Sequence, residues 1–210
     1  SWFDNIPFIS FIILKGKCRN CDFKIPYQYF LVELIVGLGF LISYYFYGIT
    51  VTTLLLFILT IFFVIIFFID LKHFIIPNEL TFPLMGIGFI KSFDPNLNQY
   101  LFPNYVNSLI GGVIGYFIIW IIIFGYKKLK NKEGMGLGDA KLLSAIGFWF
   151  GWISIPFILF FSSFIALMFA IPDLIKKSKT MSSKIPFGPY LVLGCVLYFF
   201  SIEQIIKFLN

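Results

Sequence analysis

Gly134-Met135-Gly136-Leu137-Gly138-Asp139-Ala140-Lys141 is a glycine run that ends in a carboxylate and opens into the apolar segment Leu142 to Trp152. Whether that segment crosses a membrane decides the fold, and the acid at its head bears on what the fold does. Glycines on alternate positions let one backbone approach another, or a substrate strand, where any Cβ would clash. An aspartate that leads into an apolar phase is normally avoided, because a buried carboxylate is costly unless it is paired or employed. Two readings of Asp139 stand side by side at this point. It is a helix N-cap that accepts first-turn amides and gains from the macrodipole, or it is a group with a chemical partner.

Composition sets the environment. At 210 residues, 60% hydrophobic, 21% aromatic and 12% charged, the chain has more apolar surface than one soluble core of this length hides. The fold class is therefore all-α, a polytopic membrane helix bundle. Seven apolar runs reach or approach the length that crosses a hydrocarbon layer: 28 to 47, 51 to 69, 79 to 93, 105 to 126, 139 to 152, 154 to 171 and 187 to 206. Two of them, 79 to 93 and 139 to 152, are short for a full crossing at the helical rise per residue, so re-entrant segments are the alternative.

The distribution of charge decides between these. Of the 16 Lys and Arg, all but Lys91 and Lys207 fall in four clusters: 15 to 24, Lys72, 127 to 141, and 176 to 184. If all seven segments cross, every cluster lands on one side, which the positive-inside rule makes cytoplasmic. If either short segment failed to cross, a later lysine cluster would be thrown to the far side. Seven spans follow, with the N-terminus in the cytoplasm and the C-terminus outside. The net charge of +6 is this topology signal together with attraction to anionic headgroups. It does not argue for nucleic acid, since no basic stripe with interleaved aromatics lies outside the spans.

Residues 1 to 27 form a cytoplasmic arm ahead of the membrane region 28 to 210. The arm has no cleavable signal peptide, and it starts at Ser1 rather than Met, so residues are expected ahead of it. It carries Cys18-Arg-Asn-Cys21. A CxxC offers two thiolates to one Zn²⁺, but a structural site takes four ligands, and the remaining cysteine, Cys195, lies inside the last span. Half a zinc site, a thiol pair that cycles between oxidised and reduced, and two free thiols all remain open.

Two further acids matter. Glu33 lies within the first span, where an ionisable group is a functional candidate by default; the bland alternative is snorkelling to the interface or pairing with a nearby lysine. Asp70 closes the uncharged run 51 to 69. A carboxylate there meets the negative end of the helix dipole, so capping does not explain it, and a salt bridge to Lys72 or a headgroup contact is the ordinary reading. Ile76-Pro77-Asn78 stops one helix, and Asn78 is expected to cap the next, with Pro83 in its first turn. Gly111-Gly112, Gly115, Gly147 and Gly151 provide small-residue faces for close helix packing. The loop 91 to 104 offers nothing catalytic.

Asp70 closes the second span going inward and Asp139 opens the fifth going outward, so the lysine topology places both at the cytoplasmic edge. Contact between those two helices would bring the acids together. Two carboxylates a few ångströms apart cannot both ionise, which leaves one base and one acid. Such a pair activates water without a metal: the base takes a proton as the oxygen attacks a peptide carbonyl, and the acid protonates the carbonyl oxygen. The short fifth helix would thin the bilayer locally and admit water and an unwound peptide.

At these residues the chain resembles a known family. Gly136-Leu-Gly-Asp139-Ala-Lys-Leu-Leu143, with Gly147 and Gly151-Trp152, looks like the GxGD signature of intramembrane aspartic proteases and is more narrowly similar to the bacterial type IV prepilin peptidases. Asn5-Ile-Pro7, Gly16-Lys-Cys18 with Cys21, Glu33, Asp70 followed by Ile76-Pro77-Asn78 and Leu80-Thr81, and Pro186-Phe-Gly-Pro189 extend the likeness over essentially the whole chain.

The resemblance implies that Asp70 and Asp139 form the catalytic pair. Gly136, Gly138, Glu33 and Lys141 would shape the site. The substrates would be type IV prepilins or pseudopilins, cut at the cytoplasmic face of the bacterial inner membrane, with no cofactor needed for proteolysis. It also implies N-methylation of the new N-terminus from S-adenosylmethionine, although no methyl-donor motif is recognisable here. Family members add an earlier membrane helix and a second CxxC that completes a zinc site. Eight spans are therefore expected in a full-length member, and Cys18 and Cys21 are a partial site.

Other readings compete with this one. A small ion or proton transporter would place its acids near the midplane and show internal repeats, whereas these acids lie at one edge and no repeat is found. A preflagellin- or presenilin-like GxGD protease would use the same pair on another client, and a processing-inactive assembly factor would not use it at all.

Overall fold

The computed structural model describes residues 9–14, 16–18, 21, 24–97, 101–130, 136–175 and 185–209. Among them the secondary structure is helical apart from one isolated antiparallel bridge, Lys17 to Lys24. The helices are α1 (Ile9–Ile13), α2 (Tyr27–Tyr47), α3 (Val51–His73), α4 (Asn78–Ile90), α5 (Tyr105–Lys130), α6 (Leu137–Phe150), α7 (Ser154–Ile175) and α8 (Gly188–Leu209), with a 3-10 turn at Lys91–Phe93 after α4.

The all-α membrane fold read from composition is the one observed, and α2 to α8 fall on the seven apolar runs. By length and composition α2, α3, α5 and α7 are sufficient to cross a membrane. At 13 and 14 residues, α4 and α6 span only about 20 Å. Lys132, the lysine run at 176–184, and Asn5-Ile-Pro7 lie outside the described residues.

Two details of the sequence reading change. Asn78 does not cap α4: Pro77 occupies the N-cap with extended backbone and no side-chain cap bond, and Pro83 falls in the second turn rather than the first. The lost bond there would have gone to the carbonyl of Glu79, close enough to the helix start to be tolerated.

The chain divides into two compact units, Ser1–Val64 and Ile65–Asn210. In the first, Gly16 adopts φ +69°, a conformation open to glycine. The chain thereby turns back so that the Ile25 amide donates to Gly16 O at 2.8 Å. Further on, Gly39 of α2 packs on Thr60 of α3, where a Cβ would stand 2.6 Å from Thr60 Cγ2, and Phe40 meets Phe57 edge-on at 5.1 Å. The outer faces of α2 leave Leu38, Leu41, Tyr45 and Phe46 exposed, as suits a helix in lipid.

In the second unit α6 is the central element, with Ala140, Leu142, Leu143, Ala145, Ile146 and Trp149 fully buried. The small-residue faces expected from the sequence mesh with each other here: a Cβ on Gly111 would meet Gly147 O at 2.5 Å, and one on Gly115 would meet Leu143 O at 2.6 Å. Because the backbones approach so closely, hydroxyls of α5 and α6 reach carbonyls across the interface, Ser144 Oγ donating to Gly112 O at 2.8 Å and Ser108 Oγ to Phe148 O at 2.7 Å. On its other side α6 is tied to α4 by the Trp149 indole, which donates to Leu84 O at 2.8 Å. Phe150 meets Tyr198 of α8.

The last carbonyls of a helix lack internal partners, yet at the C-terminal end of α6 those of Gly147, Phe148 and Trp149 all accept a hydrogen bond. Gly151 N–H donates to Gly147 O at 2.8 Å, Ser108 takes Phe148 O, and Lys91 Nζ donates to Trp149 O at 2.9 Å. Lys91, read from sequence as part of an uninformative loop, is buried, with its ammonium 3.8 Å from the Phe102 ring centroid.

Candidate active site

Both acids singled out from the sequence are buried in the second unit, Asp70 at 4% and Asp139 at 8% exposure. Asp70 lies inside the last turn of α3, because that helix runs on to His73. It ends at Phe74, whose φ of +57° puts a non-glycine residue in the left-handed region while its amide closes on Asp70 O at 2.9 Å. The ordinary reading of Asp70 does not hold, since among the described residues it makes no salt bridge to Lys72. Its carboxylate turns inward, and Oδ2 accepts the Gly188 amide of α8 at 3.0 Å.

Asp139 is not the N-cap of α6. Gly136 occupies that place, with extended backbone and no side-chain cap bond, and the helix runs from Leu137. The aspartate is thus the third helical residue, from which its carboxylate reaches back to the Gly136 amide, half of a capping box. An acid at this position is at home in the helix dipole. Its other neighbour is not favourable, for it lies within electrostatic range of the Asp70 carboxylate.

Ile76 joins the two acid-bearing segments. A Cβ on Gly138, the residue before Asp139, would stand 3.0 Å from Ile76 Cβ, and one on Gly188, the residue bonded to Asp70, would stand 3.0 Å from Ile76 Cδ1. The Ile76-Pro77-Asn78 segment is in turn tied to α6, where Lys141 Nζ donates to Asn78 Oδ1 at 2.6 Å and lies 5.5 Å from the Phe82 ring centroid. The side chain expected to cap α4 instead takes the lysine.

Among the sequence-derived residues, then, Asp70, Asp139, Gly136, Gly138 and Lys141 gather around this junction. Gly134 and Met135 lie outside the described residues. Glu33 is half-buried on α2 in the other compact unit. Cys18 is half-buried and Cys21 exposed, on the turn bounded by the Lys17 to Lys24 bridge. No group of three or more metal-ligating side chains forms among the described residues, so the pair offers half the donor set of a structural zinc.

Sequence reasoning missed Ile76 and Gly188 as neighbours of the acids. The available signal was their place in Ile76-Pro77-Asn78 and Pro186-Phe-Gly-Pro189, stretches that carry the family resemblance. Chemically, two buried carboxylates in mutual range, each held by a main-chain amide, can pass one proton between them and polarise a water.

Comparison with known proteins bears on this geometry. A family model described as the type IV leader peptidase family matches residues 57–171, and one for the bacterial peptidase A24 N-terminal domain matches residues 1–47. A prepilin leader peptidase/N-methyltransferase of Aeromonas salmonicida is 37% identical over 198 residues, covering 91% of this chain and 64% of its own length. A protein of the same description from Xanthomonas campestris is 36% identical over 210 residues, 100% of this chain and 71% of its own. A third, from Pseudomonas aeruginosa, is 33% identical over 192 residues, 91% and 64%. The chain thus spans 64% of the length of the first of these. No solved structure matches.

Proposed function

The chain belongs to the type IV leader peptidase family, and from that premise we propose that it is an intramembrane aspartic endopeptidase that removes the leader peptide of type IV prepilins or pseudopilins. Asp70 and Asp139 are the catalytic pair in this reading. One carboxylate takes a proton from water as its oxygen attacks the scissile carbonyl, and the other gives its proton to the carbonyl oxygen. Collapse of the tetrahedral intermediate breaks the C–N bond and returns a proton to the leaving amine.

The observation that carries the reading is the burial of two like charges within range of each other and without a salt bridge among the described residues. A structural role would have matched each with a cation or separated them. Gly138 supplies close approach to Ile76 at the site, Gly136 starts α6 three residues before Asp139, Lys141 pins the 76–78 segment to α6, and Glu33 keeps a supporting role in the first span.

The protein in this account is a multi-pass protein of the bacterial inner membrane, with α2 to α8 crossing, the N-terminus in the cytoplasm and the C-terminus outside. The pair then opens to the cytoplasm, where the leader resides, and nucleic acid has no part in the activity. Residues 1 to 27 are an arm holding half of a zinc site, and 28 to 210 the peptidase region. The relatives' names carry a second activity, N-methylation, and we extend the proposal to methyl transfer from S-adenosylmethionine to the new N-terminus. No described residues are assigned to that donor, and no step of proteolysis involves it.

Incubation of the purified protein with a prepilin in detergent, followed by mass spectrometry, reads leader loss and methyl addition separately. Asp70→Asn and Asp139→Asn are each expected to abolish cleavage, and cleavage retained in either would reject the pair.

A further inference from the structure

We propose that Gly188 is a positioning residue of the acid pair, its amide and its missing side chain together holding the Asp70 carboxylate toward Asp139. The inference rests on the proteolytic reading above and adds a third chain segment, the head of α8, to the site.

The first amides of a helix have no internal partner, and at α8 they can be followed one by one. Pro189 has no N–H. The amides of Tyr190 and Leu191 both turn back to Phe187 O, each at 3.1 Å. The Gly188 amide is left for an outside acceptor, and it takes Asp70 Oδ2 at 3.0 Å in a buried setting. This bond answers a difficulty of Asp70's own helix, whose C-terminal dipole disfavours a carboxylate; the positive end of α8 faces it instead.

The approach leaves no room for a side chain. A Cβ on Gly188 would stand 2.8 Å from Asp70 Oδ2 and 3.3 Å from its Cγ, closer than carbon and carboxylate tolerate. Asp139 is held in a similar way by the Gly136 amide at the head of α6, so each acid of the pair rests on one glycine N–H from a helix start.

The test uses the full chain with a prepilin substrate. In Gly188→Ala, kcat is expected to fall roughly 100-fold, the scale of a misplaced reacting group, with KM within about twofold of wild type because substrate contacts are untouched. Since the new methyl would also press on Ile76, Gly188→Ala is compared with Gly188→Ala/Ile76→Val, which removes Ile76 Cδ1. The double variant is expected to stay slow. Recovery of kcat on shortening Ile76, or a wild-type kcat in Gly188→Ala, would overturn the proposal. Gly86→Ala, at a position with nothing within 4 Å of an added Cβ, is the control.

Nuclear magnetic resonance of ¹⁵N-glycine-labelled protein gives a reading that does not depend on the alanine variant folding. The Gly188 amide proton should lie downfield and move upfield in Asp70→Asn; an unmoved resonance would contradict the bond. Failure of the parent reading has a different signature, cleavage that persists in Asp70→Asn itself.

Discussion

Helix α6 has a buried ionisable side chain at each end, and the two ends treat it in opposite ways. At the C-terminal end Lys91 reaches in from the turn after α4 and finds what a buried cation needs, the Trp149 carbonyl at 2.9 Å and the faces of Phe102 and Trp149 at 3.8 and 5.3 Å. At the N-terminal end Asp139 finds one amide and a second carboxylate. Both charges have the sign that the helix dipole favours, and both are buried. Burial of charge therefore does not by itself mark a site. The mark is a charge placed beside its like, an arrangement with no stabilising purpose that proton exchange between the two would explain.

The contrast is broken or sharpened most strongly at the acid end. Asp139→Asn should cost roughly 10²- to 10⁴-fold or more in cleavage, the range for losing an acid–base group, while the protein melts no lower than wild type because a like-charge contact has gone. A variant that kept its activity but melted well below wild type would reverse the assignment of the two ends.

Next comes the middle of the helix, where Gly147→Ala would drive a Cβ into the Gly111 backbone. The expected cost is about 3 kcal/mol, read as reduced thermal stability, and activity and stability should fall together because α6 carries both ends. Lys91→Met should then cost about 2 kcal/mol, the penalty for an orphaned buried carbonyl. Cleavage per folded molecule, titrated against remaining folded protein, should stay near wild type. An inactive Lys91→Met protein with unchanged melting would erase the difference between the ends.

The smallest effect is expected at Phe74, where relief of the left-handed backbone by Phe74→Gly should raise stability by up to about 1 kcal/mol; a lower melting temperature would mean that the phenyl ring is needed where it is.

Much of this was legible in the sequence because hydropathy and lysine placement are one-dimensional signals. The seven apolar runs mark where α2 to α8 form, and the requirement that lysine clusters share a side underlies the expectation that Asp70 and Asp139 lie at one depth. Glycine spacing marks a close-packing face on each of two segments, and Gly111, Gly115 and Gly147 of those faces meet at the α5–α6 contact. What escaped depends on which surfaces meet. Lys91 reads as the start of a loop with nothing catalytic until Trp149 and Phe102 are seen to enclose it. Asn78 has the right chemistry for a cap and is drawn away by Lys141, and Asp139 has the right chemistry for an N-cap but falls three residues further on, because Gly136 starts the helix. Gly188 could not be connected to Asp70 from a distance of over a hundred residues along the chain.

The central claim is that Asp70 and Asp139 act on each other, and a double-mutant cycle of stability measures that without reference to substrate. Unfolding free energies of wild type, Asp70→Asn, Asp139→Asn and the double variant should be non-additive by about 0.5–3 kcal/mol, as for residues in direct contact. Additivity within about 0.5 kcal/mol, the behaviour of separated sites, would mean that the two carboxylates do not sense one another and that the site described here does not exist.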